Sequence, residues 1–159
     1  MDLLGDVRGR DILELGCGAG FYTRLVLSRG AGHVWAVDLS ERMIAELPSE
    51  GVTGIHADAT TANPGRSFDT LLSAGMLEFV PDPKAVLANA ARFAAPNGRF
   101  AVLMPTASML GRIYQRFHRR HGLSINLFDS SQLSRLGGET GWTLANWVQA
   151  GPYSAAALL

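Results

Sequence analysis

Several residue types that define common sites are scarce in this sequence. Cys17 is the only cysteine among 159 residues, which excludes an intramolecular disulfide and a zinc site built from thiolates. No apolar run approaches the roughly 20 residues that a membrane-spanning helix needs. Residues 1–10 are too short and too charged for a signal peptide. We therefore expect a cytoplasmic protein with no stable membrane insertion.

An excess of charge of one sign is also missing. Fourteen basic residues balance fourteen acidic ones, so the formal net charge is zero. Because the chain has no net charge, its overall electrostatic field does not attract nucleic acid or an anionic membrane. No nucleic-acid partner is expected, and the length predicts a single domain over residues 1–159.

Glycine, by contrast, is concentrated where a ligand would need it. An apolar run over residues 11–15 leads into Gly16, Gly18 and Gly20, and a helical pattern follows. Because glycine has no Cβ, the backbone can turn sharply and a ligand can lie directly against it. This strand–turn–helix unit is typical of proteins that hold a nucleotide-like cofactor.

The spacing of the glycines and two acidic residues indicate which class of cofactor the turn would bind. Dinucleotide-binding proteins use G-x-G-x-x-G, whereas Gly20 comes one residue too early for that spacing. Glu14 precedes the turn, where a carboxylate would repel a pyrophosphate but attract an ammonium group. Asp38 ends the next apolar run and can accept both hydroxyls of a ribose. The predicted ligand has a ribose and a positive charge but no diphosphate.

Four ordered stretches resemble the motifs of class I S-adenosylmethionine-dependent methyltransferases, and specifically the small-molecule enzymes similar to the quinone-biosynthesis group. The stretches are residues 12–20, 37–40, 56–59 and 68–83, followed by a fifth similar region over 87–103. The resemblance implies S-adenosyl-L-methionine as cofactor and methyl transfer to a small-molecule acceptor. It leaves open whether the acceptor atom is oxygen, nitrogen or carbon.

The resemblance also implies a role for residues at the strand ends. Glu14 would lie near the methionyl ammonium, Asp38 would bind the ribose hydroxyls, and Asp58 would meet the adenine amino group. Ser73 and Ala74 would line the region of the sulfonium. Contacts to the adenine are expected from Leu39, Met43 and Ala59. The remaining expected cofactor contacts are Gly16, Cys17, Gly18, Gly20 and Tyr22.

The hydrophobic pattern alternates between strands and helices. Strands are predicted over residues 11–15, 33–37, 53–57, 68–73 and 99–104, and helices over 20–29, 40–47 and 83–94. This alternation predicts an α/β fold: a Rossmann-like, mostly parallel sheet with helices on both faces. Two further strands are predicted within 142–148 and 154–159. The resemblance implies that they complete a seven-stranded sheet whose last strand is antiparallel and inserted.

Residues 108–121 form an amphipathic pattern within a candidate lid segment, 105–128. The apolar residues share one helical face, and four arginines lie mainly on the other. Three interpretations stay open: a helix packed on the sheet edge, a surface for an anionic substrate or membrane, and a nucleic-acid patch. Few residues precede the first strand, so a homodimer or a partner subunit is a candidate for completing the substrate pocket.

Glu78 and His118 are the candidate catalytic residues. Glu78 follows the fourth strand near the expected sulfonium, where a solvated or capping carboxylate is the alternative. His118 lies three residues before His121 with no third ligand nearby, so no metal site is predicted. Two other functions stay open: a non-catalytic or partner-dependent module, and a methyltransferase that acts on protein or RNA.

Overall fold

A single seven-stranded sheet organises the chain. The computed structural model describes residues 3–159, and Met1 and Asp2 of the predicted domain lie outside the described residues. The strands are β1 (Asp11–Leu15), β2 (His33–Asp38), β3 (Val52–His56), β4 (Phe68–Ala74), β5 (Ala94–Pro105), β6 (Asn146–Gln149) and β7 (Ser154–Leu158). The helices are α1 (Phe21–Ser28), α2 (Glu41–Ala45), α3 (Pro83–Phe93), α4 (Met109–Arg120) and α5 (Ser130–Gly138).

The strand order is β3-β2-β1-β4-β5-β7-β6. Strands β1 to β5 pair in parallel, whereas β7 pairs antiparallel with β5 on one side and β6 on the other. The predicted fold class is therefore confirmed, including the inserted antiparallel last strand. From β1 the chain adds β2 and then β3 on one side of the sheet, and it then returns to add β4 on the other side of β1. Ligands of such sheets bind at this switch point, outside the carboxyl ends of the strands.

Two apolar clusters cover the two faces of the sheet. One contains Val26 of α1 with Val34 and Leu72 of the sheet, and the other contains Leu87 of α3 and Leu133 of α5. Helices on both faces bury the central strands, and β1 is buried from its second residue to its last. Burial of these apolar side chains is the main force that holds the helices against the sheet.

The helix starts follow local capping rules. Asp82 accepts hydrogen bonds from the backbone N–H groups of Lys84 and Ala85 at 3.0 and 3.3 Å, with Pro83 in the first turn of α3. Ser108 caps α4 by accepting from the N–H of Gly111 at 3.1 Å. The predicted start of α3 and the predicted amphipathic helix are both present.

Four elements differ from the sequence prediction. Strand β6 covers Asn146–Gln149, whereas the prediction placed it within 142–148. Strand β5 begins at Ala94, not at residue 99, because Ala94 already pairs with Phe68 of β4; the register then shifts across Pro96-Asn97-Gly98, which lies within the strand. Helix α2 has only five residues. Helix α5 was not predicted, although Asp129 caps it by accepting from the N–H of Gln132 at 2.8 Å. Its short length and two glycines weaken the helical pattern.

Candidate functional site

The glycine turn after β1 forms the floor of the candidate site. Gly16, Gly18 and Gly20 have φ angles of 75°, 52° and 82°, the left-handed region that favours glycine. The N–H groups of Gly16 and Cys17 both donate to the carbonyl of Val37, at 2.8 and 3.0 Å. A Cβ at Gly16 would collide with the side chain of Met76, whereas a Cβ at Gly18 would meet nothing within 4 Å. The turn is therefore closed beneath Gly16 and open above Gly18.

Asp38 joins this turn to the end of β2. Its Oδ2 accepts from the N–H of Gly18 at 2.8 Å, and its Oδ1 accepts from the N–H of Ser40 at 2.9 Å. The side chain is half-buried, so these hydrogen bonds hold it in place while a ligand can still reach it. Each carboxylate oxygen keeps a further lone pair, which suits a pair of ribose hydroxyls.

A cavity of about 240 Å³ opens beside Asp38 at the carboxyl ends of the strands. The structure thus brings together five residues predicted to bind the cofactor, drawn from three separate strand ends: Gly16, Asp38, Leu39, Asp58 and Ala59. The loop after β4 supplies the opposite wall with Met76, Phe79, Val80 and Pro81. The first wall carries the two carboxylates, Asp38 and Asp58, among apolar side chains, and the opposite wall is apolar. Apolar surface with a few polar groups is typical of a small-molecule site.

Asp58 is fixed within its own loop. Its Oδ1 accepts from the backbone N–H of Thr60 at 2.8 Å and from the hydroxyl of Thr60 at 2.7 Å. The hydrogen bond from the backbone of Thr60, and after it the bond from the Thr60 hydroxyl, hold the pKa of Asp58 below its usual range. The carboxylate is therefore charged and orientated beside the cavity.

Glu14 lies under the turn and does not line the cavity. It is 1% exposed, and its Oε2 accepts from the hydroxyl of Thr23 in α1 at 2.5 Å. Burial raises the pKa of Glu14 to about 7; the bond from Thr23 opposes this shift, and the charge of Asp38 adds to it. A nearby cation would favour the charged form of this carboxyl group.

The end of β4 holds two buried polar atoms without hydrogen-bond partners. Among the described residues, nothing pairs with Ser73 Oγ or with Glu78 Oε2. Glu78 is 5% exposed, and burial raises the pKa of its carboxyl group. The side chain of Glu78 is thus shielded from bulk solvent, and its catalytic role stays a prediction. Thr70 Oγ1, within β4, is unpaired in the same way. Because an unsatisfied buried polar group costs about 1–3 kcal/mol, a partner for the atoms of Ser73 and Glu78 would be stabilising.

Helix α4 lies beside Glu78 and contributes two side chains to a cluster of aromatic rings. The ring of Tyr114 stacks on that of Tyr153, with centroids 4.9 Å apart, and meets the ring of His118 at 4.4 Å. His118 also contacts Phe79, a wall of the cavity, at 5.9 Å. Burial, and then the charge of Glu78, raises the pKa of Tyr114. Tyr114 is therefore close enough to Glu78 for the charge of Glu78 to affect its pKa. His118 lies on the next turn of α4, against the ring of Tyr114.

Asn126 is a residue of this corner that the sequence did not reveal. Its side chain donates to the carbonyl of Val80 at 2.8 Å, and its backbone N–H donates to the carbonyl of Glu78 at 2.7 Å. It thereby ties the segment after α4 to the loop that carries Glu78. No local pattern marks this role, because both bonds span more than forty residues of sequence.

Eight of the thirteen residues predicted to contact the cofactor do not line the smaller cavity: Glu14, Cys17, Gly18, Gly20, Tyr22, Met43, Ser73 and Ala74. Tyr22 lines a larger cavity of about 620 Å³, together with Leu103 and Val148. Met43 is half-buried in α2 and Ala74 packs against the core at the end of β4; neither lines the smaller cavity. Cys17 is buried, and burial raises the pKa of its thiol to about 12, so it packs as a small unreactive side chain.

Within residues 3–159, no helix is both long and apolar enough to cross a bilayer. The same residues hold no cluster of three or more histidine, cysteine, aspartate or glutamate side chains arranged for a metal ion.

Comparison with known proteins identifies relatives of this architecture. Residues 13–102 match the family model described as a methyltransferase domain. The ubiquinone biosynthesis O-methyltransferase of Neisseria meningitidis serogroup C is 30% identical over 105 residues, which covers 58% of this chain and 43% of the relative. The enzyme of the same name from Hahella chejuensis is 35% identical over 97 residues, covering 56% and 40%. The chain thus spans about two fifths of the length of these relatives.

A solved structure matches nearly the whole chain. An S-adenosylmethionine-dependent methyltransferase from Mesorhizobium loti superposes with a TM-score of 0.81 at 19% identity. The match covers 98% of this chain and 93% of that one. At this identity the likeness establishes the shared fold.

Proposed function

The chain belongs to the methyltransferase domain family, which confirms the resemblance, and from this membership we propose that it transfers a methyl group from S-adenosylmethionine to a small-molecule acceptor. One observation carries the proposal. The cavity at the switch point of the sheet brings Asp38 and Asp58 together above a glycine turn that is open at Gly18.

The residues of the cavity fit this cofactor. Asp38 retains acceptor capacity for the two ribose hydroxyls, and the open space above Gly18 admits a ligand against the backbone. Asp58 would accept from the adenine amino group, and Ala59 would lie against the ring. Glu14, beneath the turn, would stabilise the methionyl ammonium. When bound, the cofactor supplies an electrophilic methyl group on a sulfonium.

The remaining chemistry is proton removal from the acceptor, and we assign it to Glu78. Its buried carboxyl group has a raised pKa and an oxygen without a partner, which suits a general base for a hydroxyl acceptor. Tyr114 and His118 would pack against the acceptor or orient it. The protein otherwise contributes alignment and exclusion of water, which are large effects in group transfer.

Two features bear on how the acceptor is covered. We propose that residues 105–128, which include α4, act as the lid predicted from the sequence, because Asn126 joins this segment to the Glu78 loop. A homodimer or partner subunit stays a prediction. The larger cavity lined by Tyr22 and Val148 is the surface that such a subunit would complete.

Glu78→Gln tests the chemical assignment. The amide keeps the shape of the side chain but cannot accept the proton, so we expect kcat to fall by about 10²–10⁴ with a phenolic acceptor. Affinity for S-adenosylhomocysteine should stay within about twofold, a change too small to indicate a lost cofactor contact. Transfer of labelled methyl and calorimetric titration measure the two quantities separately.

The outcomes separate the candidate functions. An unchanged kcat would remove Glu78 from the mechanism. Cofactor binding by the wild-type protein without transfer to any acceptor would favour a non-catalytic or partner-dependent module. Label recovered in protein or RNA from a lysate would favour a macromolecular acceptor.

A further inference from the structure

Helix α4 exposes a continuous apolar arc. Met109, Ile113 and Phe117 follow one another at intervals of four residues and therefore share one face. Their exposures are 76%, 60% and 58%, and the neighbouring Leu110 is 44% exposed. The prediction that this helix is amphipathic holds. Of the three interpretations left open for this helix, packing of its apolar face on the sheet edge holds only in part: Tyr114 stacks on Tyr153, whereas Met109, Ile113 and Phe117 are exposed.

A basic arc borders the apolar arc along the same helix. It consists of four exposed arginines, Arg112, Arg116, Arg119 and Arg120. Their guanidinium groups have no ion-pair or hydrogen-bond partner within residues 3–159. Residues 106–128 contain no aspartate or glutamate. The outer side of α4 is therefore apolar on one flank and strongly cationic on the other.

Contacts on the inner side fix this orientation. The backbone of Gly111 lies directly under the carbonyl of Thr106, and no larger residue would fit there. The side chain of Gln115 donates to the carbonyl of Ile125 at 2.7 Å. Because these contacts occupy the inner side, the helix cannot rotate to bury its apolar arc without losing them.

We propose that α4 docks on the surface of an anionic lipid bilayer. An amphipathic helix with arginines beside an apolar face lies in the interface, where apolar side chains enter the headgroup boundary and cations meet lipid phosphates. A second copy of the chain fits less well, since pairing two such helices would bring eight arginines together. Nucleic acid would leave the apolar arc unexplained, because Phe117 is its only aromatic residue.

Docking in this way would bring the candidate site close to the membrane, with α4 between the two. Tyr114 and His118 lie on the opposite side of the same helix, and His118 contacts Phe79 of the cavity wall. A lipid-soluble acceptor could then reach the site from the bilayer. The docking proposal itself does not depend on methyl transfer, because its test needs no turnover.

Vesicle flotation tests the proposal with the full chain. Phosphatidylcholine vesicles are compared with phosphatidylcholine vesicles that contain phosphatidylglycerol. We expect binding to the anionic vesicles only. Arg112→Gln with Arg116→Gln should weaken it about 25-fold, at about 1 kcal/mol per arginine. Ile113→Ser with Phe117→Ser should weaken it at least about tenfold through lost apolar burial.

Matched controls lie on other exposed surfaces. Arg8→Gln with Arg42→Gln removes the same charge from side chains that are 78% and 80% exposed, and Phe21→Ser removes an aromatic ring that is 72% exposed. Both controls should bind vesicles as the wild type does. Because all of these side chains are exposed, circular dichroism should show folded variants.

Other outcomes would overturn the proposal. These are an absence of binding to the anionic vesicles, equal binding to both vesicle types, or equal losses in the control variants. Concentration-dependent self-association abolished by the Ile113/Phe117 variant would identify a second copy as the occupant. Retention of RNA that is lost in the arginine variant but kept in the apolar variant would identify nucleic acid.

Discussion

At the scale of single residues, Gly18 tests where the ligand lies. Its φ of 52° and the open space above it are what a cofactor pressed against the backbone requires. Gly18→Ala should raise the Kd of S-adenosylhomocysteine about tenfold or more, because the new methyl group enters that space. The backbone strain of alanine at this φ should cost only about 1–2 kcal/mol.

Gly65 offers a control for the strain alone. It has a φ of 74°, and a Cβ there would also meet nothing within 4 Å, but it belongs to the segment between β3 and β4 and not to the glycine turn after β1. Gly65→Ala should therefore lose similar stability and keep its affinity. Equal affinity in both variants would contradict the placement of the cofactor on the turn.

Glu14 links stability to pH at the same scale. Burial raises its pKa from 4.5 to about 7, so the folded protein holds this proton more tightly than the unfolded chain. Its contribution to stability is complete below about pH 4.5 and is lost as the pH rises toward and beyond 7. The loss between pH 5 and pH 8 amounts to about 2–3 kcal/mol.

Glu14→Gln should remove this dependence, because the amide does not titrate. Urea unfolding at pH 5 and pH 8 measures the difference in free energy of unfolding between variant and wild type. We expect that difference to move in favour of the variant by about 2–3 kcal/mol at pH 8, since all other groups cancel. Parallel pH profiles would contradict the raised pKa.

The sequence indicated some of these residues more readily than others. Gly16, Gly18 and Asp38 were predictable because one strand–turn–helix unit and one strand end fix their positions. The placement of Tyr22 in the larger cavity, and the contact between Tyr114 and Glu78, depend on how α1 and α4 lie on the sheet. Such contacts join distant parts of the chain and leave no local pattern.

At the scale of elements, the docking of α4 depends on Gly111. A Cβ at this position would collide with the backbone carbonyl of Thr106, which cannot move aside as a flexible side chain could. Gly111→Ala should therefore lower the free energy of unfolding by about 1–3 kcal/mol or detach the helix, despite the better helix propensity of alanine.

Gly138→Ala provides the helical control. Gly138 ends α5, and a Cβ there would meet nothing within 4 Å. We expect this variant to be neutral or stabilised by up to about 1 kcal/mol. Thermal unfolding monitored by circular dichroism compares the two variants. Equal stabilisation in both would contradict the close contact beneath α4.

Element prediction succeeded where periodicity was strong. Strands β1 and β4 were predictable because their apolar runs are bounded by turn residues, and α3 because Asp82-Pro83 starts it. Helix α5 escaped because its pattern is short and contains Gly137 and Gly138. The early start of β5 depends on pairing of Ala94 with Phe68, a tertiary contact that sequence periodicity does not report.

At the scale of the whole molecule, the strand order brings the candidate site residues to one edge. New strands are added on one side of β1 up to β3 and on its other side from β4 onward. Asp38 ends β2, and Asp58 and Glu78 come shortly after β3 and β4, so all three lie at the carboxyl ends of parallel strands. Strand–helix alternation predicted this arrangement, and family membership agrees with it. The outward apolar arc of α4 was not predictable, because an amphipathic pattern does not show which face finds a partner.

Calorimetric titration of the chain with S-adenosylhomocysteine, with NAD as control, tests the central claim most directly. The cavity beside Asp38 has acceptors for a ribose and a carboxylate under the turn for an ammonium group. We therefore expect S-adenosylhomocysteine to bind with a Kd of about 1–100 μM, near −8 to −5 kcal/mol, and NAD not to bind. Binding of NAD, or of neither ligand, would contradict the assignment of this site to S-adenosylmethionine.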